Sequence, residues 1–220
     1  MKSAVLFSGG KDSCLALHKA LGNYDVKYLL SVIPENFDSF MFHKPYLNLL
    51  KKQAEKLGIK LIAVKSKGVR NKELDDLKRL ILKVRGKIDA IIVGGIASNY
   101  QGERIKKICK ELDLKFIAPL WNYSSDKIWE ELFKEKFKVI LTKISCEGIP
   151  KDFLGKVING EIFEKLKKLS LKYKFRIDFE GGEAESAVLF MPEFKEEIKI
   201  KYGVKSEGHY RHYLEIKEVR

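Results

Sequence analysis

The sequence predicts an α/β protein: a parallel sheet with helices on both faces over residues 1–120, followed by a smaller α+β domain over residues 121–220. Three observations predict it. Across the first 120 residues, short apolar runs alternate with amphipathic stretches of helical period, the pattern of a parallel sheet. The run at 88–93, closed by Gly94-Gly95, has the look of a strand buried on both faces. After Trp121 the alternation gives way to two helical stretches and several strands.

Residues 3–7 are a strand that meets the turn Ser8-Gly9-Gly10. Residues 11–21 carry Leu15, Leu17 and Leu21 with Ala16 and Ala20, a helix closed by Gly22. A strand follows over 26–33, stopped by Pro34, then an amphipathic helix over 46–57 ended by Gly58 and a strand over 60–64. Residues 72–84 place Leu74, Leu77, Leu80, Ile81 and Val84 on one helical face. The 88–93 strand leads to a helix over 100–112 and a short strand over 115–118, broken by Pro119. In the second part, helices are expected over 126–133 and 163–173. Strands are expected over 137–144, 187–190, 196–204 and 210–219, the last two joined by a hairpin turn near 206–208.

Charge and composition narrow the function. The 220 residues are 45% hydrophobic and carry a net charge of +13, so the chain can bury a core and is no disordered or fibrous protein. The first 120 residues hold 23 basic against 12 acidic side chains and the remainder 20 against 18, which concentrates the excess in the first part. That suits a polyanion, although a solvated Lys-rich surface explains charge alone equally well. Scarce Gln with abundant Lys, Glu and Ile leans toward a thermophilic source. No run of 18 apolar residues exists, the apolar stretch before Ser8 is too short for a signal peptide, and Cys14, Cys109 and Cys146 are too few and scattered for a disulfide framework or a CxxC zinc site. A cytoplasmic protein without a membrane partner is expected.

In a parallel sheet, ligands bind at the carboxyl ends of the strands. The sequence Ser8-Gly9-Gly10-Lys11-Asp12-Ser13 stands at such an end. Two glycines let the backbone turn tightly and aim its N–H groups inward as an anion nest, and the helix that follows adds its positive end. Lys11 supplies a cation, Ser8 and Ser13 supply hydroxyls, and Asp12 is a candidate magnesium ligand. Both Lys11 and Asp12 are expected in an exposed loop. The pattern is not a Walker A loop, which has four residues between its glycines. A ligand-free Gly-rich turn is the plain alternative.

The loop resembles the PP-loop of the ATP pyrophosphatase superfamily. That resemblance implies a HUP-type parallel sheet, ATP with magnesium, and cleavage between the α and β phosphates. Three further segments narrow it: Ile33-Pro34-Glu35-Asn36 with a following His43; Gly94-Gly95-Ile96-Ala97-Ser98-Asn99-Tyr100-Gln101 with Arg104; and Phe179-Glu180-Gly181-Gly182-Glu183-Ala184-Glu185-Ser186. With Ala118-Pro119-Leu120-Trp121 between them, their order and spacing resemble the diphthine–ammonia ligase family from Ser8 to about Phe194. Relatives usually have Gly, an aromatic and Thr where this chain has Phe179, Ala184 and Ser186, and often Asn where it has Tyr46. These departures bear on pocket shape more than on chemistry.

The resemblance implies that residues 1–120 bind ATP through the loop, Ile33 and Gly94, with Lys11, Asp12 and Arg104 acting in catalysis. It implies that His43, Asn99, Tyr100, Gln101, Glu180, Glu183 and Glu185 contact the substrate, with residues 121–220 as the substrate-binding domain. The three glutamates have few basic neighbours in sequence, so they would repel one another unless a cation (magnesium, ammonium or the trimethylammonium of diphthine) sat there; a solvated acidic turn is the plain alternative. The implied reaction is amidation of diphthine on elongation factor 2: the carboxylate attacks the ATP α-phosphate, and ammonia displaces AMP from the acyl adenylate. No amidotransferase domain fits in 220 residues, so free ammonium is the expected nitrogen source. The rival reading is a PP-loop tRNA-modifying enzyme of the thiolating or lysidine type; the lack of a paired-cysteine module and of an RNA-binding extension argues against a nucleic-acid partner. A non-catalytic nucleotide-binding module fits the loop less well. The oligomeric state stays open, with a homo-oligomer compatible.

Overall fold

The structure, a computed structural model, describes residues 1–34, 46–67, 73–94 and 99–220, with residues 99–101 in backbone only. The chain divides into two compact units, Met1–Asn122 and Tyr123–Arg220.

The first unit follows the alternation read from sequence: β1 (Lys2–Leu6), α1 (Lys11–Leu21), β2 (Asp25–Pro34), α2 (Leu47–Leu57), β3 (Lys60–Ser66), α3 (Glu73–Leu82), β4 (Ala90–Ile92), α4 (Asn99–Glu111) and β5 (Lys115–Ile117). The strands form one parallel sheet in the order β3-β2-β1-β4-β5. Strand periodicity sends alternate side chains to opposite faces. Ala4, Leu30, Val32, Ile91 and Val93 pack in one core cluster with Leu77, Leu80 and Ile81 of α3 and Ile105, Ile108 and Cys109 of α4. Their alternates Val5, Leu29 and Ile92 are also fully buried, on the side where α1 and α2 lie against the sheet. Gly58 closes α2 at φ 65°, a conformation that disfavours any side chain.

Pro34 does not stop β2 but is its last residue, paired with Ser66. Beyond Leu30, β2 has outrun β1, so the N–H that proline lacks has no partner there to lose. This overhang sets the carboxyl edge of the sheet. The chain leaves β1 for one flank and returns for β4 on the other, which makes the β1–β4 junction the switch point where such sheets take ligands.

The second unit contains α5 (Ser125–Lys134), β6 (Lys138–Ser145), α6 (Gly160–Tyr173), β7 (Ala184–Phe190), β8 (Ile200–Ser206) and β9 (Arg211–Val219), with an antiparallel sheet ordered β7-β6-β9-β8. The hairpin between β8 and β9 turns through Gly208 at φ 77°. α6 starts three residues before the expected Phe163, because the Asn159 side chain accepts the Ile162 N–H at 3.0 Å and caps the helix. β8 starts four residues after the expected Glu196: Ile198 is buried there as a loop residue, its N–H donated to Leu189. Fully buried Trp129 anchors this unit, with Phe133, Phe163 and Phe179 around its ring at centroid distances of 5.2–6.2 Å. No described helix is long and apolar enough to cross a membrane.

Candidate active site

The chain between β1 and α1 is shaped by its own short side chains. Gly9 adopts φ 75°. Ser13 folds its hydroxyl back over the loop: it accepts the Ser8 N–H at 3.3 Å, lies 3.1 Å from the Ser8 hydroxyl and donates to the Gly10 carbonyl at 3.1 Å. The Gly10 N–H lies 3.4 Å from Ser8 Oγ. Gly10 is the N-cap of α1 and contributes no side chain, so the first turn presents its backbone donors to the loop. A helix N-terminus with a glycine nest in front of it is fitted to an anion with several oxygens.

Lys11 and Asp12 are the first residues of α1, and neither stands in an exposed loop as expected. Lys11 is 2% exposed, its ammonium 2.7 Å from Asp12 Oδ2. The helix begins as soon as the glycines have turned the chain, so both residues fall in its first turn. Asp12 Oδ1 is buried and has no hydrogen-bond partner among the described residues. A buried carboxylate oxygen of this kind is the hard donor that magnesium takes together with substrate phosphates, so the residues fit the ion.

Gly94 lies at the end of β4, across the switch point, and touches α1. A Cβ placed on it would come within 2.7 Å of the Ser13 backbone nitrogen and 2.8 Å of the Asp12 carbonyl carbon. The glycine therefore lets β4 close on the first turn of α1, a structural demand apart from the nucleotide contact read from the sequence. Ile33 is half-buried at the overhanging end of β2. Arg104 is half-buried on the second turn of α4, the helix that follows β4. His43 lies outside the described residues, as do the side chains of Asn99, Tyr100 and Gln101.

Sequence reasoning missed Gln53. It stands on α2, 1% exposed, and its Nε2 donates to the Gly9 carbonyl at 2.9 Å. The signal was a lone amide on a helical face otherwise made of Leu49, Leu50 and Ala54.

In the second unit the acidic loop corrects an expectation. Glu180, Glu183 and Glu185 are not a cluster starved of basic neighbours. Glu185 faces Lys143 across the β6–β7 ladder at 3.0 Å, both side chains 13% exposed. Glu183 Oε1 accepts the Arg176 N–H at 3.0 Å, and Glu180 donates its N–H to Asp178 at 3.1 Å. The β6–β7 ladder brings in a cation, Lys143, that is distant in sequence, and the 176–183 turn supplies a backbone donor. No group of three or more His, Cys, Asp or Glu is placed to hold a metal among the described residues.

The turn has an unusual backbone. Phe179, at a position where the family resemblance leads one to expect Gly, adopts φ 62°. A side chain in that region costs roughly 1–2 kcal/mol, and burying the ring edge-on against Trp129 contributes roughly 1.5–3 kcal/mol. The ring wins. Asp178 beneath it is buried, which pushes its carboxyl up, but Arg176, the Ser125 hydroxyl and the Glu180 N–H all donate to it and hold its pKa at about 2. An unfolded aspartate titrates near 3.9. The ionised form thus stabilises the fold above about pH 4, by roughly 2 kcal/mol, and the contribution disappears as the pH falls toward 2. Asp178→Asn should lower stability by about that amount at pH 7, with the gap to wild type narrowing toward pH 2. Urea unfolding across that range measures it, and a pH-independent gap would rule out the charge as its source.

Comparison with known proteins now separates the candidates. The family model described as Diphthamide synthase N-terminal domain matches residues 1–116, and Diphthamide synthase C-terminal domain matches residues 124–220. The chain belongs to the diphthamide synthase family. Among curated relatives of this diphthamide synthase family member are proteins named diphthine–ammonia ligase. The one from Schizosaccharomyces pombe is 32% identical over 90% of this chain, the one from Rattus norvegicus 29% over 91%, and the one from Homo sapiens 28% over 90%. The chain spans 36% of the length of the first and 83% and 82% of the other two. A solved structure described as a predicted subunit of tRNA methyltransferase from Methanocaldococcus jannaschii covers 90% of the chain and is itself covered to 99%, at TM-score 0.42 and 16% identity, a likeness too low to bear on function.

Proposed function

We propose that this member of the diphthamide synthase family is a diphthine–ammonia ligase, converting the diphthine carboxylate of elongation factor 2 to its amide with ATP and ammonium, and releasing AMP and pyrophosphate. The observation that carries it is the preformed anion nest of residues 8–13, at the switch point of a parallel sheet, in a chain matched by both domain models of that family.

A carboxylate is a poor electrophile, so it first needs a leaving group. Its oxygen attacks the α-phosphorus of ATP and the bond to pyrophosphate breaks. The Gly10 N–H, the first turn of α1 and the Lys11 ammonium receive the charge that develops on pyrophosphate. Magnesium, held by Asp12, would neutralise phosphate oxygens there. Ammonia then adds to the acyl carbon, the C–O bond to AMP breaks, and the nitrogen gives up a proton. Ile33 and Gly94 border the nucleotide, and Arg104 serves a phosphate or the carboxylate as a bidentate donor. His43, Asn99, Tyr100 and Gln101 serve the substrate. The second unit serves the protein substrate, through Glu180, Glu183 and Glu185. Mass spectrometry of diphthine-bearing elongation factor 2, incubated with this protein, ATP, magnesium and ammonium, should show one OH replaced by NH2. AMP formation that needs tRNA instead would overturn the proposal.

Glu183→Gln and Glu185→Gln should keep ATP binding and lose acceptor-dependent AMP formation, with a weaker effect for Glu180→Gln. Glu185→Gln should also lower the melting temperature, because it removes the charge from one side of a largely buried pair with Lys143. Calorimetry with ATP decides: a loss of ATP binding as severe as that of a Lys11 variant would place the acidic loop in the nucleotide site.

A further inference from the structure

Gln53 has no part in the reaction just described, yet it is fully enclosed and bonded to the most conformationally demanding residue of the loop. Its amide comes from α2, 44 residues away in sequence. A Cβ on Gly9 would overlap its Oε1. The hydrogen bond to the Gly9 carbonyl has a geometric consequence. The chain contains no cis peptide among the described residues, and a trans peptide points its carbonyl and its N–H to opposite sides. With the Gly9 carbonyl held on α2, the Gly10 N–H must face the other way, into the loop, where Ser8 Oγ lies. A free glycine pair would lose this orientation, since two adjacent glycines have the widest choice of backbone conformation.

We infer that Gln53 is a positioning residue for the nucleotide loop, its carboxamide fixing the Gly9–Gly10 peptide so that the Gly10 N–H is presented to a phosphate oxygen before ATP arrives. The inference rests on the nucleotide reading of the loop. Its chemistry is specific: the position needs a donor, at this reach, inside the core. Methionine has the length and no donor. Glutamate has the shape, donates only when protonated, and when ionised sets a carboxylate against a carbonyl.

Two variants, Gln53→Met and Gln53→Glu, test this with α,β-methylene-ATP and magnesium, in calorimetric titrations from pH 5.5 to 8.5 beside wild type. Taking each affinity relative to wild type at the same pH divides out every titration that the variants share with it, that of the phosphates included. Gln53→Met should weaken the analogue about tenfold at every pH, the size of one lost buried hydrogen bond. Gln53→Glu should bind within about threefold of wild type at the acid end and fall about tenfold or more below it at the alkaline end, as the buried carboxyl ionises. Melting curves at each pH confirm that both are folded. Wild-type affinity in Gln53→Met overturns the inference, and so does a Gln53→Glu deficit that is the same at every pH, the mark of a packing role. If wild type itself does not bind the analogue, the nucleotide reading fails and takes this inference with it.

Discussion

Lys11→Met is expected to slow pyrophosphate release a hundredfold or more while the protein stays folded. Methionine replaces the stem of a side chain that is 2% exposed, so the first turn of α1 keeps its packing and only the ammonium is lost. Alanine is the poorer test, since it would open a cavity and mix stability with chemistry. In the proposed reaction the ammonium receives the charge that builds as the α–β bond breaks, and removing a donor of that kind costs about 3 kcal/mol of transition-state stabilisation. Asp12→Asn should act with it. The buried Oδ1 becomes an amide atom, and the magnesium concentration needed for half-maximal rate should rise. Pyrophosphate release under saturating ATP measures both, with circular dichroism as the control on folding. Turnover near wild type in the two variants would remove the loop from the chemistry.

What the sequence made legible follows from how local each constraint is. The nest could be read because two glycines, a lysine and two serines act within six residues, and a strand and a helix of clear period flank them. The helix over residues 11–21 was read to its ends for the same reason: Gly10 and Gly22 bracket it. Gln53 could not be tied to Gly9 from sequence, because only the folding of α2 against the sheet brings them together. Lys143 was hidden likewise: it interrupts an apolar strand, and nothing short of the β6–β7 register shows that Glu185 is opposite. The acidic loop therefore looked more isolated than it is. Phe179 posed a different obstacle. A positive φ in a phenylalanine runs against residue preference, and it is tolerated here because the aromatic cluster around Trp129 holds the ring.

Gly94→Ala is expected to be among the most damaging single-methyl additions to the first unit. The added carbon would meet the Ser13 nitrogen at 2.7 Å and the Asp12 carbonyl carbon and Ser13 Cα at 2.8 Å. These are backbone atoms of a helical turn and cannot rotate aside as a side-chain end can. Either β4 or the first turn of α1 must move by several tenths of an ångström, and forced repacking of this kind costs about 1–3 kcal/mol or more. The movement falls on the first turn of α1, which the proposed function gives to the phosphates, so ATP affinity should drop together with the melting temperature. Gly22→Ala is the matched control: its Cβ would meet nothing within 4 Å, and its φ of −73° suits any residue. It should leave both quantities near wild type. The paired measurement also separates two roles for Gly94. If the residue only lent backbone room to the nucleotide, affinity would fall at unchanged stability. A joint fall shows that Gly94 serves the nucleotide by seating α1, and a variant unchanged in both would show that β4 and α1 have slack where the structure brings them into contact.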